Sequence, residues 1–121
     1  MQNKESSTHK SLIVYKRAYE LSLLIYKNTV DFPKSELFGL TSQMRRCAVS
    51  VAANIVEGYA RRTPQDKLQF YYIARGSLTE LEYYIDLASD LSYYSLAVHE
   101  TLKEAREEVG KLLNGFMRSI K

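Results

Sequence analysis

Apolar residues recur along this chain at intervals of three and four, the period of a helix buried on one side. In SLIVYKRAYELSLLIYKNTVDF, residues 11 to 32, one set is Val14, Ala18, Leu21 and Ile25. Beside it runs a second set of Leu12, Tyr15, Tyr19, Ser22 and Tyr26. Pro33 closes that helix, and residues 37 to 40 form a short connector. Thr41 or Ser42 is the expected cap of a second helix, LTSQMRRCAVSVAANIVEGYARR. Thr63-Pro64-Gln65-Asp66 then reads as a helix start: a capping hydroxyl, a proline where no N–H is needed, and an acid at the third position. The third helix carries Phe70, Ala74, Ser77, Leu78, Leu81, Ile85 and Ala88 on one face, up to the interruption Ser92-Tyr93-Tyr94-Ser95. A fourth carries Leu102, Ala105, Val109, Leu112, Leu113, Phe116 and Ile120. No β-alternation, repeat or linker breaks the series. Short connections between long helices predict an all-α fold, an antiparallel up-down-up-down four-helix bundle over residues 11–121, behind a disordered tail over 1–10.

The second helix departs from the simple pattern. Gln43, Arg46, Ser50, Asn54 and Glu57 form a narrow polar stripe, with an apolar face on each side of it. Leu40, Met44, Cys47, Ala48, Val51 and Ile55 make one face; Val49, Ala52, Ala53, Val56, Tyr59 and Ala60 make the other. A surface helix of a lone bundle needs one apolar face. The second is therefore expected to be buried against another copy of the chain, with Val49, Ala53, Val56 and Tyr59 as candidate interface residues. The stripe between the two becomes a seam whose groups must be paired. If the second and third helices form a hairpin, Ser50 comes to Ser77, Asn54 to Ala74 and Arg46 to Glu80, while Glu57 can meet Arg61. The expected role of Gln43, Arg46, Ser50, Asn54, Glu57, Ser77 and Glu80 is structural. Gly76-Ser77 and Ala52-Ala53 suggest close approach of the two backbones.

These residues also carry a resemblance. FPKSELFGLTSQMRRCAVSVAANIVEG, followed by IARGSLTELE, closely resembles the four-helix-bundle proteins encoded in intervening sequences of bacterial 23S rRNA genes, over residues 12 to about 118. The family's pattern falls on Pro33, Glu36, Leu40, Gln43, Arg46, Ser50, Asn54, Glu57 and Gly58, then on Gly76, Ser77, Glu80 and Leu81. Cys47 stands where alanine is usual, Val51 where isoleucine is, and Tyr15 where tryptophan is frequent. The resemblance implies a cyclic homopentamer and no catalytic residue. The family is more distantly similar to the accessory variability determinant of diversity-generating retroelements, a basic pentameric barrel that binds nucleic acid and a reverse transcriptase.

Composition narrows the chemistry. The chain has 121 residues, few Gly and Pro, and a formal charge of +3, which permits nucleic acid without requiring it. One cysteine, Cys47, cannot form an internal disulfide, and a buried thiol in a reducing cytoplasm is the expectation. No stretch approaches the ~20 apolar residues of a membrane span, and the N-terminus lacks a signal-peptide core. A soluble cytoplasmic protein is expected. His9 and His99 lack companions at metal spacing, and no Glu-x-x-His, phosphate-loop or GxSxG motif occurs, so no metal, cofactor or catalytic residue is expected. The acids Glu80, Glu82, Asp86 and Asp90 read as a solvated face. Arg45, Arg61, Arg62 and Lys67 are candidate nucleic-acid contacts, with RNA or DNA as partner; the ten tyrosines could stack on bases, but a bundle rim or an interface is the favoured place for them. The expected function is a non-enzymatic homo-oligomeric scaffold or adaptor, with a purely protein-binding platform as the competing reading.

Overall fold

The computed structural model describes residues 8–120, and all four helices lie within them: α1 Ile13–Thr29, α2 Leu40–Tyr59, α3 Pro64–Asp90 and α4 Leu96–Arg118. The described residues contain no strand. Of the tail expected over residues 1–10, residues 1–7 lie outside the described part. His9–Ser11 form a 3-10 turn, with the His9 ring edge-on to Tyr15. The helices make a four-helix bundle in which α1 packs on α2 and α4, and α3 packs on the same two neighbours. The α2–α3 contact is the most extensive, as the small residues Cys47, Ala48, Ala74 and Ser77 on the facing sides allow.

The core is formed by the innermost stripe of each helix. Val14, Ala18, Leu21 and Ile25 of α1 meet Met44, Cys47, Ala48, Val51 and Ile55 of α2, Leu78, Leu81 and Ile85 of α3, and Leu102, Val109 and Leu113 of α4. Burying each large aliphatic side chain here is worth about 1.5–3 kcal/mol, so these stripes dominate the stability. The second α1 set is marginal: Tyr19 and Tyr26 are exposed, and Tyr15 and Ser22 are half-buried. In α3 the core residue is Tyr71 rather than Phe70, which is only half-buried. The expected close approach at Gly76 also moves, since a side chain there would meet nothing within 4 Å. The tight position is Gly58, where a Cβ would lie 2.5 Å from the Tyr71 ring.

The helix ends follow local chemistry. At α3, Thr63 Oγ1 accepts from the Asp66 N–H at 3.1 Å, with Pro64 in the first turn as expected. At α4 the Ser95 hydroxyl accepts from Val98 N–H at 3.1 Å. Helix α3 ends with Ser92 at φ 60°, the Ser92 N–H bonded to Ser89 O and the Tyr93 N–H to Ala88 O. These two bonds satisfy carbonyls left open by the last turn.

Helix α2 starts differently from expectation. Neither Thr41 nor Ser42 caps it: the helix opens at Leu40, Gly39 is the N-cap, and Thr41 lies buried inside the first turn. The capping oxygen comes from Glu36, whose Oε1 accepts the Leu40 N–H at 3.1 Å while Oε2 accepts from the Tyr93 hydroxyl at 2.8 Å. The Tyr93 bond, and then the Leu40 one, hold the Glu36 carboxyl below the usual glutamate range. One carboxylate thus ties the α1–α2 connector to the α3–α4 connector. Phe32 packs against the rings of Tyr93 and Tyr94 beside it.

Candidate functional site

The α2–α3 seam carries a run of side-chain hydrogen bonds. Arg46 Nη2 reaches Glu80 Oε2 at 2.7 Å, and its Nε donates to Gln43 Oε1 at 2.9 Å. The Tyr84 hydroxyl donates to the same Glu80 oxygen at 3.0 Å. That bond first, and the Arg46 charge after it, lower the Glu80 carboxyl below its usual range. One turn further along α2, and one turn back along α3, Ser50 and Ser77 share a hydrogen bond of 2.9 Å. Asn54 does not cross to Ala74; its amide donates to Ser50 O at 2.8 Å and Ser50 Oγ at 3.0 Å. Glu57, in the last turn of α2, pairs with Arg61 just past the helix end at 3.1 Å. The stripe is thus three small clusters. Arg46 and Glu80 are about half exposed, a placement in which an ion pair is worth about 0–1 kcal/mol.

The candidate basic residues divide between the two ends of α2. Arg45 sits near the start, with its guanidinium 4.6 Å from the Tyr26 ring centre and its Nε donating to Thr29 Oγ1 at 3.0 Å. At the far end Arg61 lies over Phe70 at 4.6 Å, and Lys67 lies over Tyr59 while donating to the Tyr59 carbonyl at 2.9 Å. Helix α2 stops at Tyr59, so Arg61 and Arg62 stand beyond its last turn rather than within it. Such stacking is worth about 0.5–1 kcal/mol at exposed sites, and it leaves the outer faces of the cations in water.

The candidate interface residues lie on the outward side of α2. Val49 is 44% exposed, Ala53 is exposed, and Val56 and Tyr59 are half-buried. Sequence reasoning missed their neighbours. Tyr19, Leu23 and Tyr26 form an exposed apolar stripe on α1 that Val30 continues at its C-cap, and Phe38 in the connector is 92% exposed. Tyr26 and Val49 line one shallow depression, joining the two helix faces into a continuous surface. The missed signal was the doubled apolar pattern of α1, the same feature that marked α2.

Other groups are engaged elsewhere. Cys47 is fully buried, and that burial pushes its thiol up to about 11. Glu82 pairs with Arg106 and Asp86 with His99, and the described residues hold no cluster of three metal-ligating side chains. Among them, no helix is long and apolar enough to cross a membrane.

A family model described as 23S rRNA-intervening sequence protein matches residues 10–115. A crystal structure of a protein of unknown function from the S23 ribosomal protein family, from Bacteroides thetaiotaomicron VPI-5482, is similar in fold with a TM-score of 0.79. The match has 24% identity and covers 88% of this chain and all of the other. Among curated proteins, none matches the chain.

Proposed function

The chain belongs to the 23S rRNA-intervening sequence protein family, and from that premise we propose that it is a non-enzymatic scaffold built as a ring of identical antiparallel bundles, a homopentamer. The observation that carries this reading is the uncovered apolar surface of α1 and α2, with Leu23, Tyr26, Val49 and Phe38 all exposed. Exposed apolar side chains gathered on one side of a bundle, here with Arg45 and Arg46 among them, favour a surface that another molecule covers. The up-down-up-down path draws support from Glu36 and Tyr93, which bring two connectors to one end, and from the opposite running order of the Arg46–Glu80 and Ser50–Ser77 contacts. Assembly would also exclude water from the polar clusters of the seam and strengthen their pairing.

Within this reading the ring presents each subunit's remaining surface several times, so weak contacts add through effective concentration. Nucleic acid is a partner favoured by Arg62, which stands exposed beyond α2, and by Arg45, which has no carboxylate partner among the described residues. The division of the basic residues between two ends of α2 favours protein partners instead. Titration of labelled structured RNA at several salt concentrations separates the two: steep weakening with salt supports phosphate contact, and no binding at low salt removes it.

The assembly itself is tested by native mass spectrometry of the protein and of Val56→Asp. The expected result is a single oligomer of five chains and a dissociated but helical variant, because a carboxylate buried at a subunit contact has no partner. A monomeric parent at about 10 µM, a typical working concentration for a specific complex, would sink the proposal.

A further inference from the structure

Where α1 ends and α2 begins, the connector leaves a pocket of about 220 Å³. Two cations line it, Lys34 from the connector and Arg45 from the second turn of α2. Neither has a carboxylate partner among the described residues, whereas Arg17, Arg46, Arg61 and Arg106 all do. Arg45 is also held in place. Its Nε is fixed to Thr29 Oγ1 and its plane rests on Tyr26, which leaves the two terminal nitrogens of the guanidinium without a protein acceptor.

The wall of the pocket adds a neutral donor. Thr41 is only 4% exposed, yet its hydroxyl makes no hydrogen bond within the described residues and is not sealed from the opening. That oxygen opens to solvent through the pocket, so a bound ligand can take its hydrogen bond in place of water. It projects from the first turn of α2, where the helix dipole is positive. Of the two acids in the connector, Glu36 spends one oxygen on the Leu40 N–H and the other on the Tyr93 hydroxyl, while Asp31 is exposed, and neither lines the pocket.

An immobilised guanidinium, a second cation, a free hydroxyl and a helix start suit a tetrahedral oxyanion, with the guanidinium able to give two parallel hydrogen bonds. We propose that this pocket binds a phosphate group, with Arg45 as its anchor, Lys34 as a second charge and Thr41 as a hydroxyl donor. Every residue named comes from one chain, and Thr41 and Arg45 also edge the depression between Tyr26 and Val49, so the pocket opens beside the surface assigned to assembly.

The test is isothermal titration of the full chain with inorganic phosphate and, separately, with a short RNA bearing either a 5′-phosphate or a 5′-hydroxyl. Saturable binding of inorganic phosphate is expected, weakened roughly tenfold or more by Arg45→Gln and about threefold by Thr41→Val. Lys103→Gln on α4 should leave it unchanged. Tighter binding of the 5′-phosphate RNA than of its 5′-hydroxyl form would assign the group to nucleic acid ends; equal weakness of both RNAs beside firm phosphate binding would assign it to small phosphorylated ligands. Thermal melts of each variant separate misfolding from lost affinity, and Thr41→Val, which keeps shape, serves if Arg45→Gln fails to fold. Absence of saturable phosphate binding, or binding that Arg45→Gln and Thr41→Val leave intact, would overturn the proposal. Retention of phosphate binding by the Val56→Asp variant is expected, and shows the pocket and the ring to be separate properties.

Discussion

Gly58 and Tyr71 form a pair in which the missing side chain of one makes room for the ring of the other. The glycine lets the Tyr71 ring lie across the end of α2, and the ring in turn packs edge-on against Phe116 of α4. A methyl group at position 58 would sit 2.5 Å from a ring carbon, in a core with no room to yield. Overpacking costs about 1–3 kcal/mol, whereas exchanging glycine for alanine in a helix returns about 1 at most. Gly58→Ala should therefore lose about 1–2 kcal/mol, read as a lower urea midpoint. The Tyr71 hydroxyl, by contrast, is buried with no hydrogen-bond partner among the described residues, and burial pushes it up to about 12. Removing an unpaired buried hydroxyl relieves a desolvation cost, so Tyr71→Phe should gain about 1 kcal/mol with an unchanged denaturant slope. Neither effect was legible in the sequence. Tyr71 and Tyr72 are equal candidates for the core until the exact phase of α3 is set, and the pattern pointed to Phe70 instead.

At the scale of the element, helix ends depend on which oxygen arrives first. The cap of α3 was readable because Thr63, Pro64 and Asp66 are neighbours and act locally. The cap of α2 was not readable as a cap, because Glu36 reaches forward across a glycine while also binding Tyr93, 57 residues away. Such a carboxylate should make the joint sensitive to acid. Its folded-state pKa is lower than its unfolded one, so it contributes stability above the unfolded value, and that contribution is lost as pH falls through the folded value. Melting temperature should therefore drop more steeply in the parent than in Glu36→Gln between about pH 6 and pH 3, the window in which glutamates titrate. Parallel curves would mean that Glu36 is replaceable as an amide. The long-range pairs of the seam were more legible than the cap. Ser50 with Ser77 and Arg46 with Glu80 follow from a short turn between two helices of known phase. Asn54 went elsewhere because its own helix offered a nearer oxygen.

For the whole molecule, the all-helical class and the four segments were visible because apolar periodicity is sustained over many turns and the punctuation is sharp. An outward apolar face was read from the sequence for α2 alone. In α1 no second face was named, although the tyrosines as a group were expected at a rim or interface, where an amphipathic ring suits both water and apolar contact. The scaffold proposal has a thermodynamic signature here. If folded subunits gain stability from one another, the melting temperature must rise with protein concentration, whereas a lone bundle melts at a fixed temperature. Calorimetric scans over a hundredfold range of concentration check this, and a constant midpoint would contradict assembly.

Cys47 gives the molecule a built-in timer. Its sulfur lies beneath Arg46, within the α2–α3 contact, with no exposure to solvent and a thiol that stays protonated at neutral pH. A thiol-specific reagent can reach it only after α2 lifts from α3, so the speed of labelling records how often the seam parts. With no second cysteine in the chain, every labelled molecule reports on that one event.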